Sequence, residues 1–414
     1  MENKAKIYSL LFMGILLFLS SCKSQYLPHE HNLPQPEDTR DRPVEFQEKK
    51  TYAINDVLVS NEFEGARLNG FEQVRNNTYR VLVSPENSPI NASSYYAFKI
   101  WSPKQKEIEL EIFYTEHGHR YWPKLSYDDE LWFPLDSMRF DTAKAGNIAT
   151  LKLDIGPEKL TVAGQELMTS SDNRAWIESL KIQHPSIVRS SVIGQSREGR
   201  PIHFLDIYDG DHHDKPAIVI FSRLHPPEVT GYMAMQSFVE TLLDSSIVAC
   251  SFIENYRIMV YPMINPDGVD LGHWRHNTGG VDLNRDWSHY RQKEIKTVAY
   301  HLTELVRKSN NDVLLGLDFH STQEDLYYTF TNNRRSKIYN FKDLWMKGID
   351  EAFDNYTPKD QPYDLNQPIT KAWFLLEFNA ESITYEVGDE TPRVFVKEKA
   401  AVAAKEMMKL LVLR

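Results

Sequence analysis

Three short stretches of this sequence carry side chains able to bind and use a metal ion. In "FSRLHPPEVTGYM", His225 and Glu228 stand three residues apart with Pro226 and Pro227 between them. Alone, that pattern is either half of a metal site or an ordinary proline turn. In "GLDFHST", His320 closes an apolar run and its imidazole is expected at the same sheet edge. Two imidazoles and one carboxylate leave a fourth position open for water, the arrangement of a catalytic zinc, which lowers the pKa of that water to about 7. Such a site needs an acid/base group, and "ESITYEVGDE" offers Glu386; it also needs cations, and "GHWRHNTGGVDLNRDW" offers Arg275 and Arg285. Each has a plain alternative, a strand-end carboxylate or a surface ion pair. Together they make a hydrolytic site.

The elements that must carry these residues are legible from periodicity. His225 and Glu228 directly follow the apolar run "AIVIFS", so they fall at a strand's carboxyl end, where ligand sites lie in α/β sheets. Pro226 disfavours a helical His225 and Pro227 suits a helix start, which excludes the helical HExxH arrangement. The runs "YRIMVYPMI", "VLLGLDF" and "ESITYEV" alternate with the helical stretches "EVTGYMAMQSFVETLL" and "QKEIKTVAYHLTELVRK". Residues 175–414 therefore read as an α/β domain, a mixed, mainly parallel sheet flanked by helices. From 51 to 165, short alternating strands between Asn, Pro and Ser turns read as an all-β sandwich, with Tyr95, Tyr96, Phe98 and Trp101 as core aromatics rather than carbohydrate platforms. "DGDHHD", from Asp209 to Asp214, is rich in ligand-type side chains but reads as a polar hairpin loop, and His117 and His119 as loop residues.

Composition bounds the function. The 414 residues suffice for two domains, and a net charge of -11 without any Lys/Arg-rich run leaves nucleic acid without an electrostatic footprint. The opening "MENKAKIYSLLFMGILLFLSSCKSQ" is a secretory leader over residues 1–21, too short for a membrane span. Its "LSSC" resembles the lipobox of bacterial lipoproteins, which implies an acylated Cys22, export and a membrane anchor. Lys23, where an inner-membrane retention signal carries Asp, points to the outer membrane. Cys250 is then the remaining cysteine, so no intramolecular disulfide is expected. Residues 22–50 are polar and proline-rich and read as a tether, with His29 and His31 solvated.

Taken in order, "HPPE", "INPDG", "WRHNTGGVDLNRDW", "DFHS" and "TYEVG" resemble the zinc metallocarboxypeptidase family over residues 175 to 414. "SNEFEGARL" and "YWPKLSYDDELWFPL" resemble the N-terminal domain of its cytosolic-carboxypeptidase branch and bacterial relatives. The resemblance implies one zinc ion on His225, Glu228 and His320. It implies Asp282 as the carboxylate orienting a ligand imidazole, Arg275 as the group holding the oxyanion, Asn284 and Arg285 as the grip on a terminal carboxylate, and Glu386 as general base. The implied substrate is a peptide cleaved at its C-terminal bond. Tyr363 matches the mobile tyrosine of the family or is a packed loop residue. Lys371 lies near the position that sets charge preference, implying acidic C-terminal residues, or is a surface lysine. Two rivals share these signals: an N-acyl-amino-acid amidohydrolase of the desuccinylase/aspartoacylase type, and an inactive binding protein on the same scaffold. Oligomeric state has no signal in the sequence.

Overall fold

The alternating and the continuous apolar runs separate into different sheets, as their periods require. A computed structural model describes residues 26–33, 36–331, 337–363 and 366–413. The leader and Cys22 lie outside the described residues. Between Thr51 and Ala163 the alternating runs form a six-stranded and a five-stranded sheet. Val59, Phe98 and Val162 from the first share one core with Val81, Leu110 and Leu151 from the second. Tyr95, Tyr96 and Phe98 are buried in it, so these aromatics pack.

The continuous runs form an eight-stranded sheet in the order Val188–Gln195, Pro201–Ile207, Arg257–Tyr261, Ala217–Ser222, Val313–Thr322, Glu381–Gly388, Leu326–Thr329, Asp360–Pro362. Its centre is parallel: the strand Ala217–Ser222 runs between Arg257–Tyr261 and Val313–Thr322, and the latter pairs in parallel with Glu381–Gly388. Antiparallel strands complete it on both sides. Successive residues sort to opposite faces. Ile218 and Ile220 join the core beneath helices Val229–Leu242 and Arg393–Val412, while Val219 and Phe221 join the core beneath Lys293–Lys308 and Thr370–Phe378. The expected architecture, a β-rich region before a mixed, mainly parallel sheet flanked by helices, is what the chain adopts. Among the described residues, no helix is long and apolar enough to cross a membrane.

The described residues before Thr51 differ from a free tether. Ser288 Oγ donates to His31 O at 2.7 Å and Tyr290 OH to His29 O at 2.6 Å. His29 is exposed, as expected, while pairing with Glu377 at 3.0 Å; His31, expected in solvent, is largely covered beside the same carboxylate at 3.3 Å. Leu33 packs on Ile369 and Ala372, Thr39 bonds to Asp286, and Arg197 pairs with Asp41 at 2.6 Å. The segment docks through backbone carbonyls and single side chains rather than through an apolar face. That is why its composition shows no period.

Glycine is required where the helix Val229–Leu242 meets the His320 strand. A Cβ at Gly231 would sit 2.4 Å from His320 O and 2.6 Å from its carbonyl carbon, both backbone. Gly231→Ala must therefore push the helix off the strand that carries the candidate metal ligand His320, at an overpacking cost of about 1–3 kcal/mol. The expected outcome is a lowered unfolding midpoint together with reduced zinc content, read by thermal denaturation and atomic absorption. A fully metallated variant of unchanged midpoint would contradict it.

Candidate metal centre and cleft

The central strands deliver the ligand-type residues to one edge. After Ser222 the chain turns through Arg223, whose φ of 53° is left-handed and rare for a residue with a side chain; such a residue stores about 1–3 kcal/mol. His225 follows, and Glu228 is the N-cap residue of the helix Val229–Leu242. His320 and Glu386 are register partners on adjacent parallel strands, so their side chains share a face. All four lie in one cleft of about 670 Å³.

His225, Glu228 and His320 are buried, with one ligand atom from each lying within 4.8 Å of the others. His225 Nδ1 is 2.8 Å from Glu228 Oε1, and His320 Nδ1 is 2.6 Å from Glu228 Oε2. The opposite ring nitrogens are each held by another carboxylate: His225 Nε2 lies 2.9 Å from Asp282 Oδ1, and His320 Nε2 lies 2.6 Å from Asp318 Oδ2. Carboxylates behind both imidazoles leave the two Nδ1 atoms to a metal and raise their basicity. This donor set fits zinc, with room for further ligands on the cleft side. Burial opposes charge on Glu228, but His225 and His320 outweigh it and hold the carboxyl well below its ordinary range.

Asp282 ties the metal side to the arginines. Arg275 Nε donates to Asp282 Oδ2 at 2.7 Å, and Arg285 Nη1 stands 3.7 Å from the same oxygen. Asn284 lines the cleft, but its amide is engaged: Oδ1 accepts from Thr370 N at 2.9 Å, and Nδ2 is 3.3 Å from His320 Nε2. Arg285 lines the cleft with its Nε 3.2 Å from Glu37. Tyr363 also lines it, set edge-on to Tyr328 at 5.3 Å.

Lys371 differs from the expectation of a cleft cation. It is buried, with Nζ donating to Thr329 O at 2.6 Å and Tyr363 O at 3.0 Å, and seated 3.6 Å from the Tyr363 ring centroid. Its helix, Thr370–Phe378, turns this side chain behind Tyr363, and it does not line the cleft. Asp211, His212 and His213 also bring ligand-type atoms together, but as neighbours on a surface loop with Asp211 and His213 exposed, apart from the cleft.

Sequence reasoning missed Asp318 and Thr370. Asp318 had a signal, since it stands two residues before His320 and so shares its face of the strand. Thr370, which bonds to Asp318 and donates its N–H to Asn284, had none. Nor did the cleft wall built by the N-terminal region, with Asn91, Ser93 and Arg120.

With this geometry established, residues 173–399 match the zinc carboxypeptidase family, and the chain belongs to that family. His225, Glu228 and His320 form its zinc-binding site. Human cytosolic carboxypeptidase 2 is 32% identical over 131 residues, 30% of this chain and 14% of that protein. The match therefore spans about a seventh of that relative's length. A metallo-carboxypeptidase from Burkholderia cenocepacia superposes with a TM-score of 0.70 at 15% identity, covering 86% of this chain and 98% of the other. One from Pseudomonas aeruginosa superposes at 0.67 and 16%, with the same coverage. These similarities show a common fold.

Glu386 is half-buried, but its Oε2 is shielded from solvent, and among the described residues nothing donates to that oxygen. Burial pushes its carboxyl up from 4.5 to about 8, against the pull of His320 and aided by Glu228 and Asp318. A carboxyl raised in the folded state costs nothing below its unfolded value; the cost grows as pH rises from 4.5 and levels off above 8. Glu386→Gln should therefore raise the melting temperature of the metal-free protein at pH 8 and leave it unchanged at pH 4. A gain at pH 4 equal to that at pH 8 would contradict the assignment.

Proposed function

We propose that the protein is a zinc-dependent carboxypeptidase that hydrolyses the C-terminal peptide bond of peptides. One observation carries this reading: the zinc site, the Glu386 carboxyl, whose Oε2 has no partner among the described residues, and the guanidinium groups of Arg275 and Arg285 open into one cleft. Bound zinc supplies Lewis acidity, lowering the pKa of water to about 7 and polarising a carbonyl oxygen. Arg285 binds the terminal carboxylate of the peptide, for which a guanidinium fork is suited. Asn284, whose amide is committed to Thr370 and His320, braces that position more than it grips substrate. Arg275 donates to the oxyanion as the carbonyl carbon becomes tetrahedral. Glu386 accepts the proton of the attacking water at Oε2 and delivers it to the departing amine. Tyr363 covers the bound end residue.

Side-chain selection falls to the neutral wall beside Asn284. Ile369 precedes Thr370, whose N–H binds Asn284, and Asn366 and Gln367 continue that wall. Thr384 stands two residues before Glu386 and so on the same sheet face. Amide and hydroxyl groups there suit polar end residues, acidic ones included, over aromatic ones. We also propose that Cys22 is acylated and anchors the enzyme at the outer membrane of a bacterium, with exported peptides as substrates.

A peptide panel tests the reading. Cleavage should vanish when the terminal carboxylate is amidated, and Arg285→Ala should raise KM. Glu386→Gln should lower kcat about 10²–10⁴-fold with zinc retained. Hydrolysis of acylated amino acids in preference to peptides would sink it in favour of an amidohydrolase. Polar-ending peptides should outpace Phe-ending ones, and Lys371→Met should leave their ratio within about twofold while lowering stability, because a partner removed from buried carbonyls costs about 1–3 kcal/mol. For the anchor, labelled palmitate should enter the wild type and not Cys22→Ser.

A further inference from the structure

The N-terminal β-region reaches the cleft by a route that the reaction as derived does not use. Glu86, in the loop after the strand Thr78–Val83, is fully buried. Its carboxylate accepts three consecutive backbone N–H groups from the other half of the molecule: Trp274 at 2.7 Å, Arg275 at 3.0 Å and His276 at 2.6 Å. Successive N–H groups converging on one point form an anion-binding concavity. Here the anion is a side chain of the β-region. Asn87 extends the contact, its Nδ2 donating to Gly280 O at 2.9 Å and its Oδ1 lying 2.6 Å from His276 Nδ1.

The same loop is pinned on its other side. Trp274 is fully buried within the β-region's core, 6.4 Å edge-on from Tyr114. Arg275, next in sequence, sends its side chain the other way, to Asp282, which holds His225. A continuous line of contacts therefore runs from Glu86 through the backbone and guanidinium of Arg275 to Asp282 and a zinc ligand. Burial alone disfavours the Glu86 carboxylate, but His273, His276, Arg67 and the Trp274 N–H reverse that and keep it below its ordinary range.

We propose that Glu86 is a positioning residue for the hydrolytic reaction: the β-region, through this one carboxylate, sets where Arg275 presents its donors to the transition state. The proposal rests on the carboxypeptidase reading, in which Arg275 stabilises the oxyanion. It explains why the β-region is built against the catalytic sheet. Displacing a catalytic donor by about 1 Å costs on the order of 100-fold in rate, so a loosened Arg275 loop lowers kcat without changing how the ground-state peptide binds.

Glu86→Gln in the full chain is the test, because the amide keeps one acceptor oxygen and puts an NH2 group where the other oxygen accepted a backbone N–H. Hydrogen exchange on the metal-free protein should show lost protection at residues 274–276 with the strands of the eight-stranded sheet unchanged. In the zinc-loaded protein, kcat should fall on the order of 10- to 100-fold with KM within about twofold and zinc content unchanged. Arg275→Ala should lower kcat by about 10²–10³-fold, and adding Glu86→Gln to it should cost less than about threefold more. Glu86→Asp, with the charge kept and the reach shortened, should give a smaller loss of the same kcat-only kind; it decides the matter where the Gln variant does not fold. Unchanged kcat in Glu86→Gln despite lost protection, or a full multiplicative loss in the Arg275→Ala background, would overturn the proposal while leaving the carboxypeptidase reading intact. Unchanged kcat in Arg275→Ala would remove the role of Arg275 itself, and this proposal with it.

Discussion

The contact on which the site depends is one buried carboxylate between two imidazoles. Glu228 touches His225 and His320 with separate oxygens, and all three are buried. Burying such groups is costly unless each is paired and hydrogen-bonded. The molecule answers in layers: Asp282 and Asp318 sit behind the imidazoles, Arg275 and Arg285 face Asp282, and Thr370 bonds to Asp318. Breaking one such pair leaves a buried charge uncompensated, at a cost of about 3–5 kcal/mol. Much of the architecture around the cleft can be read as the support this one cluster needs.

Glu386 departs from that compensation, and the departure is what its proposed role as base draws on. Glu228 and Asp282 have both oxygens partnered, and Asp318 leaves Oδ1 bare but bonds to His320 and Thr370 through Oδ2, whereas Glu386 Oε2 has no partner among the described residues. Its strand places it opposite His320, close enough for Glu228 and Asp318 to disfavour its ionised form. A carboxyl raised in this way is suited to pass a proton near neutral pH. Two carboxylates on neighbouring elements thus differ in state, because Glu228 is hydrogen-bonded by two imidazoles and Glu386 by none among the described residues; the proposed roles of ligand and base follow that difference.

Much of this was legible in the sequence, and for a consistent reason. His225, Glu228, His320 and Glu386 stand at the ends of continuous apolar runs, and such runs can be recognised as buried strands whose carboxyl ends form sites. Asp282, Asn284 and Arg285 were legible through motif order, and the structure brings all three to the cleft or its edge. Lys371 was misplaced because a few residues of loop decide whether a helix turns a lysine into a cleft or behind a tyrosine. The docked N-terminal segment was misread because its contacts are backbone carbonyls and isolated side chains, which leave no periodic trace.

By itself the sequence determined the local chemistry: which residues could ligate a metal, which strands would be buried, and which half of the chain would carry the site. Those properties follow from side-chain type and from periods of two or 3.6 residues, both local quantities. Only the tertiary structure decided that Glu386 Oε2 would have no partner among the described residues, where Lys371 would point, and that Glu86 would cap the backbone of a loop almost two hundred residues away. The Glu86 contact depends on how two sheets meet, and the other two on how strands and a helix close around one cleft. Such contacts are made by single residues at long sequence separation, and no local pattern encodes them.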